Sequence, residues 1–532
     1  MDLESARLAW ASILGPDGVL TGAAVQHEYG HYCSAAIRAI PIALRVKDRF
    51  QVSPIVQVAQ QYQVPIYPIS TGRNWGYGTA LPASDGCALL DLSRLDRIVD
   101  FDAHLGVVTV EPGVTQGSLA RFLEAGGHPF MVPTTGAGPD GSLVGNALER
   151  GFGLTPHADH FSAITDIEAV LADGTLYTSA LREMAGEDLA RLFKWGIGPY
   201  FLGLFSQGRL GVVTRLSIVL ARQPATVRVM LFSLTRDDLL EPAITAVQTV
   251  LCRLPGIVGG INLMNQHRTL AMTSDYPYDR VEPQGVMSAA LVAELGRRQQ
   301  LLPWTGFGTL YGTPGVVAAA KREIRRALRG IATRLIFVSE RQARWIVATT
   351  KMLPGSIGKH LSKTAESLAK SVLLASGQPN HVALPLAYWR NADESMPPLN
   401  PNPSRDGSGL IWYAPLVPMR PALVRKFLIM VHSITREHGI EPLITLTSLN
   451  DRLFECTVPL LFSRTNADAA TAAARCFDRL WDAGLNLGVC PYRLGVDAMK
   501  KYRELTPRSS EQHGKLLAGI DPKGILSPGR YV

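Results

Sequence analysis

Pro68-Ile69-Ser70-Thr71-Gly72-Arg73-Asn74-Trp75-Gly76-Tyr77-Gly78 ends an apolar, strand-like run that starts at Val64. Its glycines, Gly72, Gly76 and Gly78, allow a backbone to reach positive φ and to come close to a ligand. Successive N–H groups in such a turn form a nest that suits an anion such as a pyrophosphate. Arg73 adds a cation, Asn74 an amide and Tyr77 a phenol. Taken alone, the stretch reads better as a tight surface turn, so its surroundings decide.

Upstream, Pro41 to Val46 reads as extended. Gln51 to Tyr62 carries Val52, Ile55, Val56 and Ala59 at helical spacing, and Val64 to Ile69 returns as a strand. A strand–helix–strand unit therefore delivers the glycine turn. Downstream, Ala88 to Leu92 and Gly106 to Gly113 read as strands. A helix follows from Thr115, its N-cap, to Ala125. Gly136-Ala-Gly-Pro-Asp-Gly141 matches G-x-G-x-x-G. Pro139 lies inside it, however, and no strand–loop–helix context with a later ribose-binding acid accompanies it, so a Rossmann site is a weak reading. Ile167 to Tyr177 is a hairpin about Asp173-Gly174. Beyond Pro224, strands such as Thr226 to Leu234 alternate with helical stretches, Asp237 to Leu251 and Gly315 to Leu335. The Pro/Ser-rich Met396 to Ser408 reads as an exposed or lid-like connection, and a helix runs from Thr471 to Ala483.

A chain of 532 residues exceeds one core, so two or more domains are expected. With 46% hydrophobic and 18% charged residues it has a globular composition, and no run of about 18 uncharged apolar residues suggests a span. The charged Met1-Asp-Leu-Glu-Ser-Ala-Arg start argues against a secretory signal. The six cysteines, without CxxC spacing, suit reduced thiols in a cytoplasm. The net charge of +8 is dispersed, which argues against nucleic acid. Lys321, Arg322, Arg325, Arg326 and Arg329 do cluster, as a solvated or partner-facing helix surface. His27-Glu28-Tyr29-Gly30-His31 fits the zinc motif H-E-x-x-H, but Gly30 weakens the helix that the motif needs and no third ligand is evident. No metal is expected.

The glycine stretch resembles the pyrophosphate loop of the vanillyl-alcohol oxidase / p-cresol methylhydroxylase family of FAD enzymes, in which Arg-Asn-x-Gly-Tyr-Gly follows Pro-Ile-Ser. Val144-Gly-Asn-Ala-Leu-Glu-Arg-Gly-Phe-Gly-Leu-Thr-Pro156 is similar to the family's second FAD-contacting segment. Phe193 to Pro199, Phe205 to Arg215, Phe307 to Gly312, Ala387 to Asn391, Leu410 to Pro415 and the tail Asp521 to Arg530 resemble further landmarks in the same order.

The resemblance implies an α+β fold: a two-part FAD-binding domain, residues 1–223 (its core about 36–223) with 488–532, around a central cap or substrate domain, 224–487. It implies FAD held by Pro68, Ser70, Thr71, Gly72, Arg73, Asn74, Gly76, Tyr77 and Gly78; by Gly136, Gly141, Ser142, Gly145, Asn146, Glu149, Arg150 and Gly151; and by Gly211, Val213 and Arg530. The implied activity is hydride removal from a para-substituted phenol or related aryl or benzylic substrate. Tyr77, Tyr492 and Arg493 would hold the phenolate, since a guanidinium and two hydroxyl donors favour the anion of a phenol whose pKa is near 10. The anion pushes electrons toward the para carbon, and a p-quinone methide results.

Three positions depart from the family pattern. Ala137 stands where an acid near the flavin is usual, and Asp140, three residues on, replaces it only with a shift of the loop. Leu410 stands at the usual tethering histidine, so FAD is expected to be non-covalent unless His27 or His31 forms the link. Glu455-Cys456 stands where paired histidines are common. Oxygen is the simplest final acceptor; the rival is a dehydrogenase passing electrons to a cytochrome or other separate carrier. A flavin-binding protein without turnover is the non-enzymatic alternative. The resemblance also implies a homodimer or larger homo-oligomer.

Overall fold

The structure is a computed structural model describing residues 2–34, 36–282, 285–352, 354–391, 396–397 and 399–531. The glycine stretch sits at the end of a four-stranded sheet ordered Val19–Thr21, Ile42–Arg45, Ala88–Asp91, Ile66–Ile69. The last three strands run parallel, with Leu44 opposite Leu90 and Tyr67 opposite Leu89. Parallel neighbours need a crossover, and the helix Val52–Tyr62 supplies it. Its Val52, Ile55, Val56 and Ala59 are fully buried, on one stripe. Asp48 and Gln51 form a capping box just ahead of it, and Gln63 at φ 55° ends it. Trp10, fully buried on the helix Leu3–Leu14, donates its indole N–H to the Ile55 carbonyl at 3.1 Å. A segment from the far end of the chain completes the sheet edge. Ile66 N donates to Ile525 O and Ser527 N to Ile66 O, each at 2.8 Å.

A five-stranded antiparallel sheet follows, ordered Ile98–Asp102, Val107–Val110, Gly211–Val219, Ile164–Leu171, Leu176–Tyr177. The expected hairpin is there: Gly174, at φ 84°, turns the chain between Ile164–Leu171 and Leu176–Tyr177. The third and largest sheet has nine strands, from Thr333–Val338 at one end to Cys490–Pro491 at the other. Its strand Leu453–Ser463 obeys the two-residue period of a sheet. Phe454, Cys456, Val458 and Leu460 join the core shared with the helices Leu240–Arg253, Pro421–Glu437 and Ala467–Asn486. Glu455 and Thr457 face the other way and line a cavity.

Several sequence expectations need correction. The helical pattern at Gly315 to Leu335 is a helix only over Pro314–Ala327. Gly330 at φ 75° turns the chain, and Thr333–Val338 is an edge strand. Two of the basic residues lie over the ring of Phe337 on that strand, Lys321 at 5.4 Å and Arg325 at 5.1 Å, so they cover apolar surface as well as facing solvent. The helix placed at Thr471 to Ala483 spans Ala467–Asn486. The connection Met396 to Ser408, of which residue 398 lies outside the described residues, is exposed at Leu399 and Asn400 but tucked in over its second half. Ser404, Asp406 and Ser408 are buried, and Asp406 accepts from the Tyr388 hydroxyl at 2.8 Å and from Asn402 N at 2.7 Å. The helix at the H-E-x-x-H motif, Ala23–Tyr29, stops before Gly30. His31 binds the His27 carbonyl at 2.9 Å rather than facing its ring.

Candidate active site

A cavity of about 440 Å³ opens between the three sheets. Pro68, Ser70, Thr71, Gly72, Arg73, Asn74 and Tyr77 form one wall, and Gly136, Gly141, Ser142, Gly145, Asn146, Glu149 and Gly151 a second. Gly211 and Val213 add a third, and Arg530 closes the cavity from the far end of the chain. The first two walls touch: a Cβ at Gly145 would lie 2.4 Å from Ser70 Oγ. Ser142 caps the short helix Leu143–Leu148, accepting from Gly145 N at 2.9 Å and donating to Pro112 O at 2.7 Å. Asn146 donates its amide to His160 Nδ1 at 2.5 Å, which fixes the imidazole as the neutral tautomer. Burial holds His160 neutral, with its pKa pulled down to about 4. Glu149 is buried between Arg530, which hydrogen-bonds it, and Arg493 at 4.0 Å. Burial works to raise its pKa, and the two guanidiniums overcome that and hold it below the ordinary carboxylate value.

Four expected residues are not among the lining. A Cβ at Gly76 would sit 2.5 Å from Trp412 Cδ1, and one at Gly78 2.8 Å from Val496 Cγ1. At these two positions the missing side chain makes room for Trp412 and Val496. Arg150 turns to Ser206, donating at 2.7 Å. Asp140, the expected acid, lies outside the cavity and 3.4 Å from Arg73 as an ion pair, while Ala137 lines the wall. The turn closed by Gly141 N on Gly138 O fixes the backbone around Asp140.

The aryl-binding candidates do meet. The Arg493 guanidinium lies 4.4 Å from the centre of the Tyr77 ring and donates to Asn74 Oδ1 at 2.5 Å. Tyr77 stacks on Trp412 at 6.5 Å, and Phe152 stands edge-on to Tyr492 at 6.2 Å. Burial, opposed by Arg493, pushes the Tyr77 phenol up. Burial and then Glu455 push Tyr492 up as well, so both stay protonated donors. The Tyr492 hydroxyl donates to Glu455 Oε1 at 3.2 Å. Burial raises the Glu455 carboxyl, against the Tyr492 hydrogen bond and the Arg493 charge. In this structure Tyr492 spends its proton on Glu455, which a trio of donors around a phenolate does not anticipate.

The backbone-lined part of the cavity suits an anionic dinucleotide. Arg73 Nη1 and Arg209 Nε are buried there without a hydrogen bond among the described residues, Arg73 having only its ion pair with Asp140. Burial pulls Arg209 below its ordinary value, although the buried Asp521 carboxylate stands 3.9 Å from its Nη1 and opposes the shift. His27 and His31 do not line the cavity. Among the described residues no three His, Cys, Asp or Glu side chains group to hold a metal. Arg209, Arg268, Phe152 and Trp412 are lining residues that sequence reasoning missed. Phe152, Arg209 and Trp412 lie inside segments that resemble the family, at positions given no role there, and Arg268 belongs to no motif. Glu455 drew notice only as an unusual residue at its position.

Comparison with known proteins agrees with this geometry. Residues 41–180 match the FAD binding domain family. The chain is 33% identical over 531 residues to the 1'-carboxy-chondrochloren decarboxylase of Chondromyces crocatus, covering 99% of this chain and 97% of that one. It is 26% identical to the 4-cresol dehydrogenase [hydroxylating] flavoprotein subunit of Pseudomonas putida, over 94% and 88% of the two chains. The fold matches the crystal structure of p-cresol methylhydroxylase with substrate bound, with a TM-score of 0.87 at 22% identity, over 99% of this chain and 96% of that one.

Proposed function

The chain belongs to the vanillyl-alcohol oxidase / p-cresol methylhydroxylase family of FAD-dependent oxidoreductases, and from that premise we propose that it oxidises a para-substituted phenol or a related aryl or benzylic substrate. The convergence of Tyr77, Tyr492, Arg493 and Glu455 on one cavity with the FAD cradle carries this reading. Bound FAD supplies the two-electron acceptor for the hydride that leaves the substrate. Arg493 favours the phenolate form of the substrate electrostatically, and the neutral Tyr77 and Tyr492 hydroxyls are the donors available to its oxygen. When Tyr492 turns its proton to that oxygen, Glu455 is the carboxylate left to take up the phenol proton. Of the two carboxylates lining the cavity, Glu149 is committed to Arg530. Water attack on the oxidised substrate would therefore lack the loop acid, since Ala137 and not Asp140 faces the cavity.

The final acceptor is oxygen in our reading, with a separate electron carrier as the rival; oxygen uptake during turnover separates them. Loss of CO2 from a carboxylated substrate is a second reading, favoured by the likeness to a relative named as a decarboxylase.

The deciding experiment is anaerobic reduction of the FAD-loaded protein by a series of 4-alkylphenols. We expect bleaching of the flavin absorbance, slowed roughly a hundredfold or more in Arg493→Ala, which strips a buried charge from the site. Flavin that no aryl compound reduces, or a variant as fast as the wild type, would sink the reading.

A further inference from the structure

The cavity holds one more guanidinium, from the large sheet's side. Arg268 stands near the start of the helix Gln266–Thr273, and it lines the cavity. Its Nε and Nη1 are buried and have no hydrogen-bond partner, and no carboxylate lies within ion-pair distance among the described residues. Its backbone is firmly held. Arg268 N donates to Asn265 Oδ1 at 3.0 Å, that oxygen also accepts from Ile444 N at 3.1 Å, and Asn265 Nδ2 donates to Pro442 O at 2.7 Å. The guanidinium is thus presented by an anchored helix start.

A buried cation left without an anion is strongly unfavourable, and a planar guanidinium suits a carboxylate or a phosphate. The other buried cations of the cavity are accounted for. Arg493 and Arg530 share Glu149, and Arg73 and Arg209 belong to the backbone-lined segments that suit the cofactor. Arg268 comes instead from the helix that follows the strand Val258–Asn265 of the large sheet, the sheet whose Glu455 and Thr457 line the aryl side.

We propose that Arg268 binds a carboxylate carried by the substrate, so that the natural substrate is an aryl acid rather than a neutral alkylphenol. The proposal rests on the aryl-oxidation reading and narrows its substrate class. Burial alone pulls the Arg268 pKa down to about 10, which agrees with a cation lacking its counter-ion and leaves it charged at neutral pH.

The test compares 4-hydroxyphenylacetate and 3-(4-hydroxyphenyl)propionate with their methyl esters, binding being read from perturbation of the flavin spectrum and turnover from anaerobic flavin reduction. We expect an acid to bind more tightly than its ester. Arg268→Gln should weaken the acid roughly tenfold or more and leave the ester unchanged, and Arg268→Lys should restore part of the difference. FAD retained by Arg268→Gln shows that the variant is folded and the cofactor indifferent to this cation. Acids and esters bound alike, no acid bound at all, or a preference for the acid that survives Arg268→Gln would each overturn the proposal. So would loss of FAD from Arg268→Gln that Arg268→Lys repairs, which would assign the cation to the cofactor. If an acid binds through Arg268 but no ligand reduces the flavin, the aryl-oxidation reading falls and the carboxylate site stands. If phenols reduce the flavin but acids gain nothing from Arg268, the reverse holds.

Discussion

His160 shows what one buried side chain contributes to the site. Its Nδ1 accepts from Asn146, a residue of the cavity wall, and a proton on that nitrogen would face an amide N–H instead of a lone pair. Burial, with a smaller effect from His157, lowers its pKa from 6.5 to about 4. The folded protein therefore binds this proton less readily than the unfolded chain. The stabilisation is complete above about pH 6.5 and drains away as the pH falls toward 4. We expect thermal unfolding of the wild type to lose no more than about 3 kcal/mol relative to His160→Gln across that window, and nothing above it. Parallel pH profiles would remove His160 from the account. Residue chemistry was partly legible beforehand. Tyr77, Tyr492 and Arg493 meet as the resemblance implies, because the motifs that carry them are local. Arg268 and Glu455 were not, because a buried charge is recognised by what surrounds it, and its surroundings come from strands far away in sequence.

At the level of elements, the glycine turn is held from above by the strand Ser408–Tyr413. Trp412 donates its indole N–H to the Trp75 carbonyl at 3.1 Å, and the Trp75 indole reaches Asn402 at 3.0 Å. Gly76, at φ 76°, leaves room for the Trp412 ring. Gly76→Ala should therefore cost about 1–3 kcal/mol through overpacking and backbone strain, and loosen FAD as the turn shifts. A variant with an unchanged melting temperature and cofactor affinity would show that the turn yields freely. The strand–helix–strand unit, the capped helix after Thr115 and the hairpin at Gly174 could be read directly, since period and turn chemistry are local properties. A glycine that admits a ligand and one that admits a neighbouring side chain, as Gly76 does Trp412 and Gly78 does Val496, look the same in sequence. The break after Ala327 went unread because the basic run kept a helical period up to the turn.

Across the whole molecule, the cavity draws its walls from three sheets and the distal segment. Its position could be inferred only through the family resemblance. Apart from the hairpin that joins Thr445–Ser448 to Leu453–Ser463, most of the nine-stranded order is set by pairings distant in sequence. Among the described residues no histidine or cysteine lines the cavity. We therefore expect acid precipitation of the yellow protein to release all colour to the supernatant. Colour held in the pellet would mean a covalent link and would direct attention to the tyrosines of the lining.

The strand pairing of Ile66 with Leu526, and the reach of Arg530 to Glu149, also set an order of events during synthesis. The ribosome makes the glycine turn early and the segment that closes over it only after the entire large sheet. Throughout that interval the nucleotide cradle has an open side and Glu149 lacks its Arg530 counter-charge.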